Sequence, residues 1–375
     1  MTKANPYQPG AALQDGSYIV READQKLQQA ILNNGNVPYF LAARQSGKSS
    51  ILARTQSVLK SSELKIAIVD LQEFAPVALS SYERFVSAFI SEILTEVGSK
   101  KELGDKLTLF EAETNPRFLQ DALSAIVMHT TGRLVVCIDE IDVLRRCDFK
   151  NGFLGQIRAL CNKRSREPDF RRIQFVLAGA TPAAKLISNL LESPFNVGDP
   201  ISLDDLSSEE LKQLVHHGWP TNTKQMDEAA QMLIEWTSGS VFLCQHILHR
   251  AFYRFYDKPD STSLPLVIER VIAKTIVEAP ETIHFRNIER VLSGDAALLS
   301  KWRAWTIGAV PDTEIVDDLL MIGICRRGAP FRNKLYECVF GSRGPLSLFV
   351  SEPACGSDGS LGPSAWTFDA DNIDI

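Results

Sequence analysis

The sequence predicts an α/β fold in which a parallel β-sheet is covered by helices on both faces and is followed by a helical part. Two short apolar runs, residues 37–43 and 134–138, each end in polar residues, and helix-forming stretches separate them from further apolar runs. A run that is apolar at consecutive positions is typical of a strand buried on both faces. Alternation of such strands with helices indicates βαβ units and therefore a parallel sheet.

The first apolar run leads directly into a loop that is typical of phosphate binding. Gly47 can adopt the backbone angles that let successive N–H groups point at one phosphate. Lys48 places an ammonium beside the β- and γ-phosphates, Ser49 offers a hydroxyl to Mg²⁺, and the helix that begins here directs its positive dipole end at the same anion. The loop departs from the full pattern G-x-x-x-x-G-K-[ST] at Ala42, where the first glycine would stand. The predicted phosphate-binding residues are Arg44, Gln45, Ser46, Gly47, Lys48, Ser49 and Ser50.

The second apolar run ends in two carboxylates, Asp139 and Glu140. Because ligands of open α/β sheets bind at the carboxyl ends of the strands, we expect both at the same edge as Lys48. We predict that Asp139, with Ser49, holds Mg²⁺ through its water shell. Glu140 is the predicted catalytic residue, together with Lys48, and orients the water that attacks the γ-phosphate. The alternative is a solvated acidic turn that Asp142 extends.

Length, charge and cysteine content set broad limits. The chain has 375 residues and a formal net charge of −6, which allows two or three domains and gives no overall electrostatic case for nucleic-acid binding. No run of roughly 18 apolar residues occurs, and the N-terminus lacks the apolar core of a signal peptide. The seven cysteines form no CxxC pair and lie mainly in apolar segments. We therefore expect a cytoplasmic protein with reduced thiols and no membrane contact.

The order of elements divides the chain. Strands are predicted at residues 37–43, 65–71, 134–138, 173–179 and 200–203, and helices at 21–33, 50–59, 82–97, 116–129, 153–163 and 183–191. A glutamate directly after the strand-end aspartate is typical of ASCE-type P-loop NTPases, and that class implies the sheet order 5-1-4-3-2. We predict a P-loop nucleotide-binding domain over residues 1–203.

Helical patterns dominate after residue 203. A capping-box-like start at Ser207 to Glu210 and further helices at 226–237, 241–256 and 266–278 predict a helical lid subdomain over residues 204–280. A helix at 315–321, a short strand at 324–327 and a tight turn at 328–330 predict a winged-helix-like unit over 281–343. Residues 344–375 carry Gly, Ser, Pro and acids, which favours an acidic disordered tail. Its end, residues 365–375, is either a docking peptide or an idle terminus.

Eight motifs in chain order resemble the bacterial AAA-like domain P-loop ATPases, which are related to STAND and AAA+ signalling NTPases. They span about residues 7–342, and an alanine at position 42 is compatible with that family. The motifs are Tyr18-Ile-Val-Arg-Glu-Ala-Asp24, Arg44-Gln-Ser-Gly-Lys-Ser-Ser50, Val69-Asp-Leu-Gln72, Cys137-Ile-Asp-Glu-Ile-Asp142, Phe175-Val-Leu-Ala-Gly179, Ser193-Pro-Phe-Asn-Val-Gly198, Trp236-Thr-Ser-Gly-Ser-Val-Phe-Leu243 and Phe331-Arg-Asn-Lys-Leu-Tyr336.

The resemblance implies an ATPase that acts as a nucleotide-operated switch in bacterial signalling or defence, with ATP or ADP and Mg²⁺ as cofactors. ATP would lie between the sheet and the helical parts, sensor or effector proteins would be partners, and ATP-bound protomers could assemble. By the same resemblance Arg21 flanks the base and Thr181 senses the γ-phosphate, while Val241 stands where the lid element has proline. Thr181 could instead be a helix N-cap before Pro182.

Two other functions stay open: a DNA-associated ATPase of the origin-loader or transposition-helper kind, and a scaffold that keeps nucleotide without hydrolysing it. A basic cluster could be a solvated face, supply an arginine finger to a neighbouring protomer, or contact a phosphate backbone. Cys244, His246 and His249 share a predicted helix, but no fourth ligand lies nearby, so we expect no structural zinc. The basic cluster comprises Arg145, Arg146, Arg158, Lys163, Arg164, Arg166, Arg171 and Arg172.

Overall fold

A computed structural model of the protein describes residues 4–10, 12, 17–107, 117–130, 132–187, 193–219, 223–257 and 263–348. Five parallel strands form one sheet in the order β2-β3-β4-β1-β5. This is the predicted order 5-1-4-3-2 read from the other edge, so that prediction is confirmed. The strands are β1 (Pro38–Leu41), β2 (Leu64–Asp70), β3 (Arg133–Asp139), β4 (Ile173–Gly179) and β5 (Asp199–Pro200).

Helices cover both faces of this sheet. Along β3, Val136 and Ile138 pack into a cluster with Phe85 and Phe153, whereas Cys137 points into a second cluster with Ile51. Alternate residues of one strand therefore enter different cores, as a doubly wound sheet requires. The helices of this part are α1 (Glu22–Leu32), α2 (Lys48–Leu59), α3 (Tyr82–Glu96), α4 (Lys100–Leu107), α5 (Phe118–His129), α6 (Lys150–Lys163), α7 (Pro168–Arg171) and α8 (Ala183–Leu186).

Most predicted bounds in the sheet lie within a few residues of the observed ones, and β4 matches at both ends. The fifth strand pairs with β1 as predicted, but at Asp199 and Pro200, so the predicted bounds 200–203 are wrong. The N–H groups of Asp199 and Ile201 donate to the carbonyls of Val37 and Tyr39 at 2.9 and 2.8 Å, so the position of Pro200, which has no N–H, is one that this pairing does not need. Helix α8 ends at Leu186, short of the predicted 191, and residues 188–192 lie outside the described part of the chain.

The rest of the described chain is helical. Ser207 Oγ accepts a bond from the Glu210 N–H at 3.3 Å and the Glu210 carboxylate accepts from the Ser207 N–H at 2.8 Å, which confirms the capping box. Side chains from residues 206–348, among them the fully buried Trp302, share one hydrophobic cluster with Tyr7 from the N-terminal segment. The helices are α9 (Ser208–Gly218), α10 (Thr223–Thr237), α11 (Val241–Asp257), α12 (Leu264–Val277), α13 (Ile283–Ser293), α14 (Ala296–Thr306), α15 (Thr313–Ile322) and α16 (Lys334–Phe340).

The end of the helical part differs from the prediction. The strand expected at 324–327 is wrong: Arg326 pairs with Ala329 in one isolated antiparallel bridge. The next backbone bond, from the Arg332 N–H to the Ile324 carbonyl at 2.7 Å, is one residue out of the register that the bridge sets, so the bridge is not extended into a ladder. Residues 281–348 are all described and contain no β-hairpin, so the wing of the predicted winged-helix unit is not confirmed.

The chain stays packed beyond residue 343. Leu346 and Leu348 are buried in the cluster of the helical part, so residues 344–348 are not part of a loose tail. The remainder of the predicted tail, 349–375, lies outside the described residues, as do the aromatic and acidic residues at its end. Within the ranges that are described, no helix is both long and apolar enough to cross a membrane.

A matched pair of glycine substitutions tests the turn before α11. Gly239 has φ +80°, and a Cβ there would lie 2.0 Å from the Leu206 carbonyl oxygen, whereas a Cβ on Gly152 in α6 meets nothing within 4 Å. We expect Gly239→Ala to lower the free energy of unfolding by about 1–3 kcal/mol, because both strain and clash oppose it. Gly152→Ala should raise it by about 0.5–1 kcal/mol. Urea-unfolding midpoints of the two variants would measure this, and equal midpoints would contradict the turn geometry.

Candidate functional site

The loop after β1 has the backbone shape that its sequence predicts. Gln45 and Gly47 have positive φ values of 61° and 94°, and Gly47 is the N-cap of α2. The Ala42 N–H donates to the Gly179 carbonyl at 3.0 Å, which extends the β1–β4 pairing into the loop. Ala42 is not among the described residues with positive φ, so this position does not need the backbone freedom of glycine.

Lys48 lies inside the loop. Its side chain is 4 % exposed, and its Nζ donates to the carbonyls of Ala42 at 3.1 Å and Ala43 at 3.0 Å. Burial lowers the pKa of this ammonium, while the carboxylates of Glu140 and Asp139 act in the opposite direction. A buried cation ringed by carbonyls at the start of a helix is suited to hold an anion.

Ser49 and Asp139 meet at the edge of the sheet. Ser49 Oγ donates to Asp139 Oδ2 at 2.6 Å, and Asp139 Oδ1 accepts from the Glu140 N–H at 2.9 Å. Burial raises the pKa of Asp139, whose residue exposure is 2 %. A hydroxyl and a carboxylate placed together in this way offer the hard oxygen donors that Mg²⁺ prefers, so these residues fit the predicted ion.

Glu140 has the environment of a reactive group. Its backbone is left-handed at φ 51°, a strained state for a non-glycine residue that typically persists where surroundings impose it. Its Oε2 is buried without a hydrogen-bond partner. Burial raises the pKa of Glu140 to about 7; Lys48 opposes this, and the carboxylates of Asp142 and Asp139 add to it. A carboxylate whose pKa lies near neutrality is well placed for work as a general base.

The residues that follow β4 lie at the same edge of the sheet. Asp142 Oδ1 accepts from the Ala180 N–H at 3.0 Å, and its Oδ2 lies 3.8 Å from the exposed Arg44 guanidinium. Thr181 follows with 1 % exposure, and its Oγ1 has no hydrogen-bond partner. The N-cap of α8 is Pro182, without a side-chain cap, so the alternative role of Thr181 as an N-cap is wrong.

These groups lie along a cleft of about 760 Å³ between the sheet and the helical part. Of the predicted site residues, the cleft is lined by Arg44, Gln45, Gly47, Lys48, Ser49, Ser50, Glu140 and Thr181. Ser46 and Asp139 are the buried neighbours of these residues in the loop and on β3. The opposite wall comes from α11, α13, α14 and α15, through residues that include Phe242, Gln245, His284, Asn287, Asp295 and Asp318.

The N-terminal segment is a part of the site that the sequence did not reveal. Gln8, Gly10 and Ala12 line the cleft. The Gln8 N–H donates to Gln245 Oε1 at 3.2 Å, and the Tyr7 hydroxyl donates to the Leu214 carbonyl at 3.1 Å. A buried tyrosine and a buried glutamine thus fix this irregular segment onto the helical part. No local pattern in residues 4–12 could have shown this, because the partners lie more than 200 residues away.

Arg21 lies behind the phosphate-binding loop. Its guanidinium, 7 % exposed as a residue, donates from Nη1 to the carbonyls of Ser46 at 3.1 Å and Asp204 at 3.3 Å. It also borders a small cavity next to Gly47, Ser50 and Val241. The role of Arg21 beside the base stays a prediction, and its described contacts join the loop to the chain that leaves β5.

Half of the basic cluster is used within the fold, and Arg145 of the same cluster lines the cleft. Four of its guanidinium groups donate to backbone carbonyls: Arg158 to Ser193, Arg164 to Asn34, Arg171 to Ser165 and Arg172 to Gly132. The last three lie around the amino ends of the strands, opposite the cleft. Of the two histidines considered above as metal ligands, His249 contacts the N-terminal segment, with its Nδ1 at 2.7 Å from the Tyr7 carbonyl. The described residues contain no cluster that could hold a metal through His, Cys, Asp and Glu alone.

The family model described as "AAA-like domain" matches residues 8–270, and the chain belongs to that family. Its fold is that of a P-loop ATPase. An uncharacterised WD repeat-containing protein of Synechocystis sp. is 26 % identical over 373 residues, covering 92 % of this chain and 30 % of the relative. The chain therefore spans less than a third of that protein's length.

The fold is shared with solved structures, among them a Walker-type ATPase and an ORC2 protein. A Walker-type ATPase of Pyrococcus abyssi has a TM-score of 0.54 at 14 % identity, over 89 % of this chain and 97 % of that one. The ORC2 protein of Aeropyrum pernix, solved as ADPNP–ADP complexes, has a TM-score of 0.50 at 15 % identity, over 83 % and 89 % of the two chains. At these identities the likeness concerns the fold alone.

The pKa of Glu140 predicts a pH-dependent stability. The folded-state value is about 7 against an ordinary 4.5, so between these pH values the folded protein keeps a proton that the unfolded chain has lost. The stability of the nucleotide-free protein should therefore fall as pH rises through this window and level off above it. The glutamine of Glu140→Gln does not titrate, so the stability of this variant does not fall in the same way. Its thermal midpoint should rise relative to that of wild type as the pH increases from 4.5 to 7. A constant difference between the two would show that Glu140 ionises like an exposed glutamate.

Proposed function

We propose that this protein is an ATP-hydrolysing regulatory switch, in which the bound nucleotide sets how the helical part rests on the sheet. One observation carries the proposal: the buried phosphate-binding and carboxylate groups form one wall of a cleft, and helices α11 and α13–α15 form the other. A nucleotide in this cleft contacts both walls. A change from ATP to ADP therefore alters the contacts available between them, which is the differential interaction that a switch needs.

Each side chain has a defined task in this proposal. The loop N–H groups and Lys48 hold the phosphates, and Ser49 with Asp139 holds Mg²⁺, which neutralises phosphate charge when bound. The Glu140 carboxylate orients the attacking water, because one of its oxygens is buried and unpaired. Thr181 Oγ1 donates a hydrogen bond to the γ-phosphate, for the same reason. The buried, unpartnered polar atoms at this edge are the groups that a bound nucleotide would satisfy.

In this switch the part that moves is the helical part, which contacts the sheet side of the cleft through α15. Lys185 Nζ in α8 lies 2.5 Å from Asp318 Oδ2 in α15, and both residues line the cleft. A Cβ on Gly323 would lie 3.3 Å from the Ala43 Cβ, so the end of α15 rests against the phosphate-binding loop itself. An ion pair joins the two sides of this junction, and polar interfaces between parts of one chain permit relative movement.

Partners follow from the same arrangement. We propose that sensor or effector proteins read the docked or released helical part, in bacterial signalling or defence, and that ATP-bound copies assemble. The much longer WD repeat-containing relative supports an association with protein-binding modules. No described contact favours the DNA-associated alternative, because the guanidinium groups of Arg164, Arg171 and Arg172 are held by carbonyls at the edge opposite the cleft.

The nucleotide content of the purified protein tests the site. We expect denatured wild-type protein to release ADP or ATP at near-stoichiometric amounts by chromatography, and Lys48→Ala to release none, because the buried ammonium is lost. Glu140→Gln should retain ATP and lower turnover by at least about 100-fold, as general-base losses do. Wild-type protein that neither carries nor binds ATP·Mg²⁺ would contradict the proposal, as would unchanged binding by Lys48→Ala.

The ion pair across the cleft provides a second test. Asp318→Asn removes the partner of Lys185, and we expect ADP to dissociate about two- to fivefold faster, as loss of a partly exposed ion pair implies. Stopped-flow release of a fluorescent ADP analogue would measure it. The matched control is Glu235→Gln, which removes the 2.6 Å ion pair to Lys334 away from the cleft and should leave the rate unchanged. Equal rates for both variants would show that α15 does not hold the nucleotide.

A further inference from the structure

We propose that Arg21 is a positioning residue that couples the phosphate-binding loop to the linker, residues 201–207, between the sheet and the helical part. The inference rests on the proposed function, because it assigns the path by which the nucleotide reaches the helical part. It is carried by contacts that the proposed chemistry does not use. The described hydrogen bonds of the Arg21 guanidinium go to Ser46 and Asp204, and none goes to Glu140 or Asp139.

The arginine is held rigidly from its own side. It is the N-cap of α1, and its N–H donates to Asp24 Oδ2 at 2.9 Å. Asp24 is fully buried, and the Tyr18 hydroxyl donates to its other carboxylate oxygen. Burial, with the hydrogen bond to Asp24, raises the pKa of Tyr18 well above its ordinary range, so this hydroxyl stays a donor. The arginine backbone is thus fixed by a buried network, and the guanidinium has a defined direction.

The guanidinium bridges two segments that are far apart in the chain. Nη1 donates to the carbonyl of Ser46 in the phosphate-binding loop at 3.1 Å and to that of Asp204 in the linker at 3.3 Å. Its Nη2 would lie 2.9 Å from a Cβ on Gly47, so the group rests directly against the loop at the N-cap of α2. Nη1 lies one bond further from the backbone than a lysine ammonium would, so a lysine at this position keeps the charge but does not bring its donors to both carbonyls.

The charge of this group favours a bound anion. Its described main-chain acceptors are the neutral carbonyls of Ser46 and Asp204, and the carboxylate of its network, Asp24, is held on the α1 side by the Arg21 N–H and the Tyr18 hydroxyl. Phosphates held by the loop supply negative charge on the other side of Gly47. Nucleotide binding and the Arg21 contacts therefore stabilise each other, and the loop conformation that binds phosphate is also the one that holds Asp204.

The linker passes this constraint to the helical part. Directly after Asp204, the Asp205 carboxylate pairs with the Arg332 guanidinium, with Nε at 3.2 Å. Next, the Leu206 N–H donates to the Gly239 carbonyl at 2.9 Å, at the turn that begins α11. The consecutive linker residues Asp204, Asp205 and Leu206 thus contact Arg21, Arg332 and Gly239, in that order. The first contact leads to the phosphate-binding loop, and the other two lie in the helical part. Arg21 is the connection between them and the phosphates.

Hydrogen exchange tests the coupling directly. With wild-type protein, addition of ADP or ATP·Mg²⁺ should slow exchange at the Leu206 amide. Arg21→Gln should weaken nucleotide binding about tenfold, as loss of charged hydrogen bonds implies, and should abolish nucleotide-dependent protection of Leu206 even at saturation. Arg21→Lys keeps the charge but not the bridge, so it should recover much of the affinity and none of the protection. Lys26→Gln on the exposed face of α1 is the control and should resemble wild type.

A second variant keeps the test informative if Arg21→Gln is unstable. Asp205→Asn breaks the ion pair to Arg332, so it should keep wild-type affinity while nucleotide-dependent protection at the start of α16, next to Arg332, is reduced. Protection of Leu206 in saturated Arg21→Gln equal to wild type would overturn the inference. Failure of the proposed function is distinct, because wild-type protein would then bind no nucleotide. In that case the Arg21 bridge between Ser46 and Asp204 is still tested. Exchange at the Leu206 amide in nucleotide-free Arg21→Gln must be faster than in wild type, and an equal rate would overturn the inference.

Discussion

The parallel pairing of β1 with β4 and of β4 with β3 is the constraint on which the rest of this structure depends. Parallel strands present their carboxyl ends at one edge, so the loop after β1 and the carboxylates after β3 meet on either side of Thr181. Two hydrogen bonds continue the alignment past the strand ends, from the Ala42 N–H to Gly179 and from the Ala180 N–H to Asp142. The site is therefore an extension of the sheet ladder.

That edge holds polar groups that the fold leaves unpaired. Oxygen atoms of Glu140, Thr181 and Ser46 are buried without hydrogen-bond partners, and Glu140 has a strained backbone. A buried polar atom without a partner costs roughly 1–3 kcal/mol, so several of them at one edge oppose folding. Natural chains keep such violations mainly where function requires them. The large apolar clusters on both faces of the sheet offset the cost and keep the unpaired groups in place.

The hydrophobic clusters are separate for the sheet and the helical part, and charged side chains join the two. Arg21 and Arg332 reach the linker from opposite sides, and Lys185 reaches Asp318 across the cleft. Arginines elsewhere close loops by donating to carbonyls, as Arg172 does at Gly132. A junction made of directional polar contacts has fewer intermediate arrangements than an apolar one, and a bound anion can bias it. This is the physical basis for a nucleotide-sensitive joint.

The sequence by itself determined the first four sheet strands and the loop residues, because each depends on local patterns: apolar runs, a glycine before Lys48, and carboxylates directly after a strand. The order of the strands followed from the class of P-loop NTPases that these motifs indicate. It also indicated family membership and the capping box at Ser207. Tertiary structure decided what depends on distant partners: the packing of Tyr7 and Gln8 onto the helical part, the placement of Arg21 against Ser46 and Asp204, and the loss of the expected strand at 324–327. A guanidinium or a buried tyrosine carries no local signal of which carbonyl it will meet. That choice is made only when the sheet and the helical part are folded against each other.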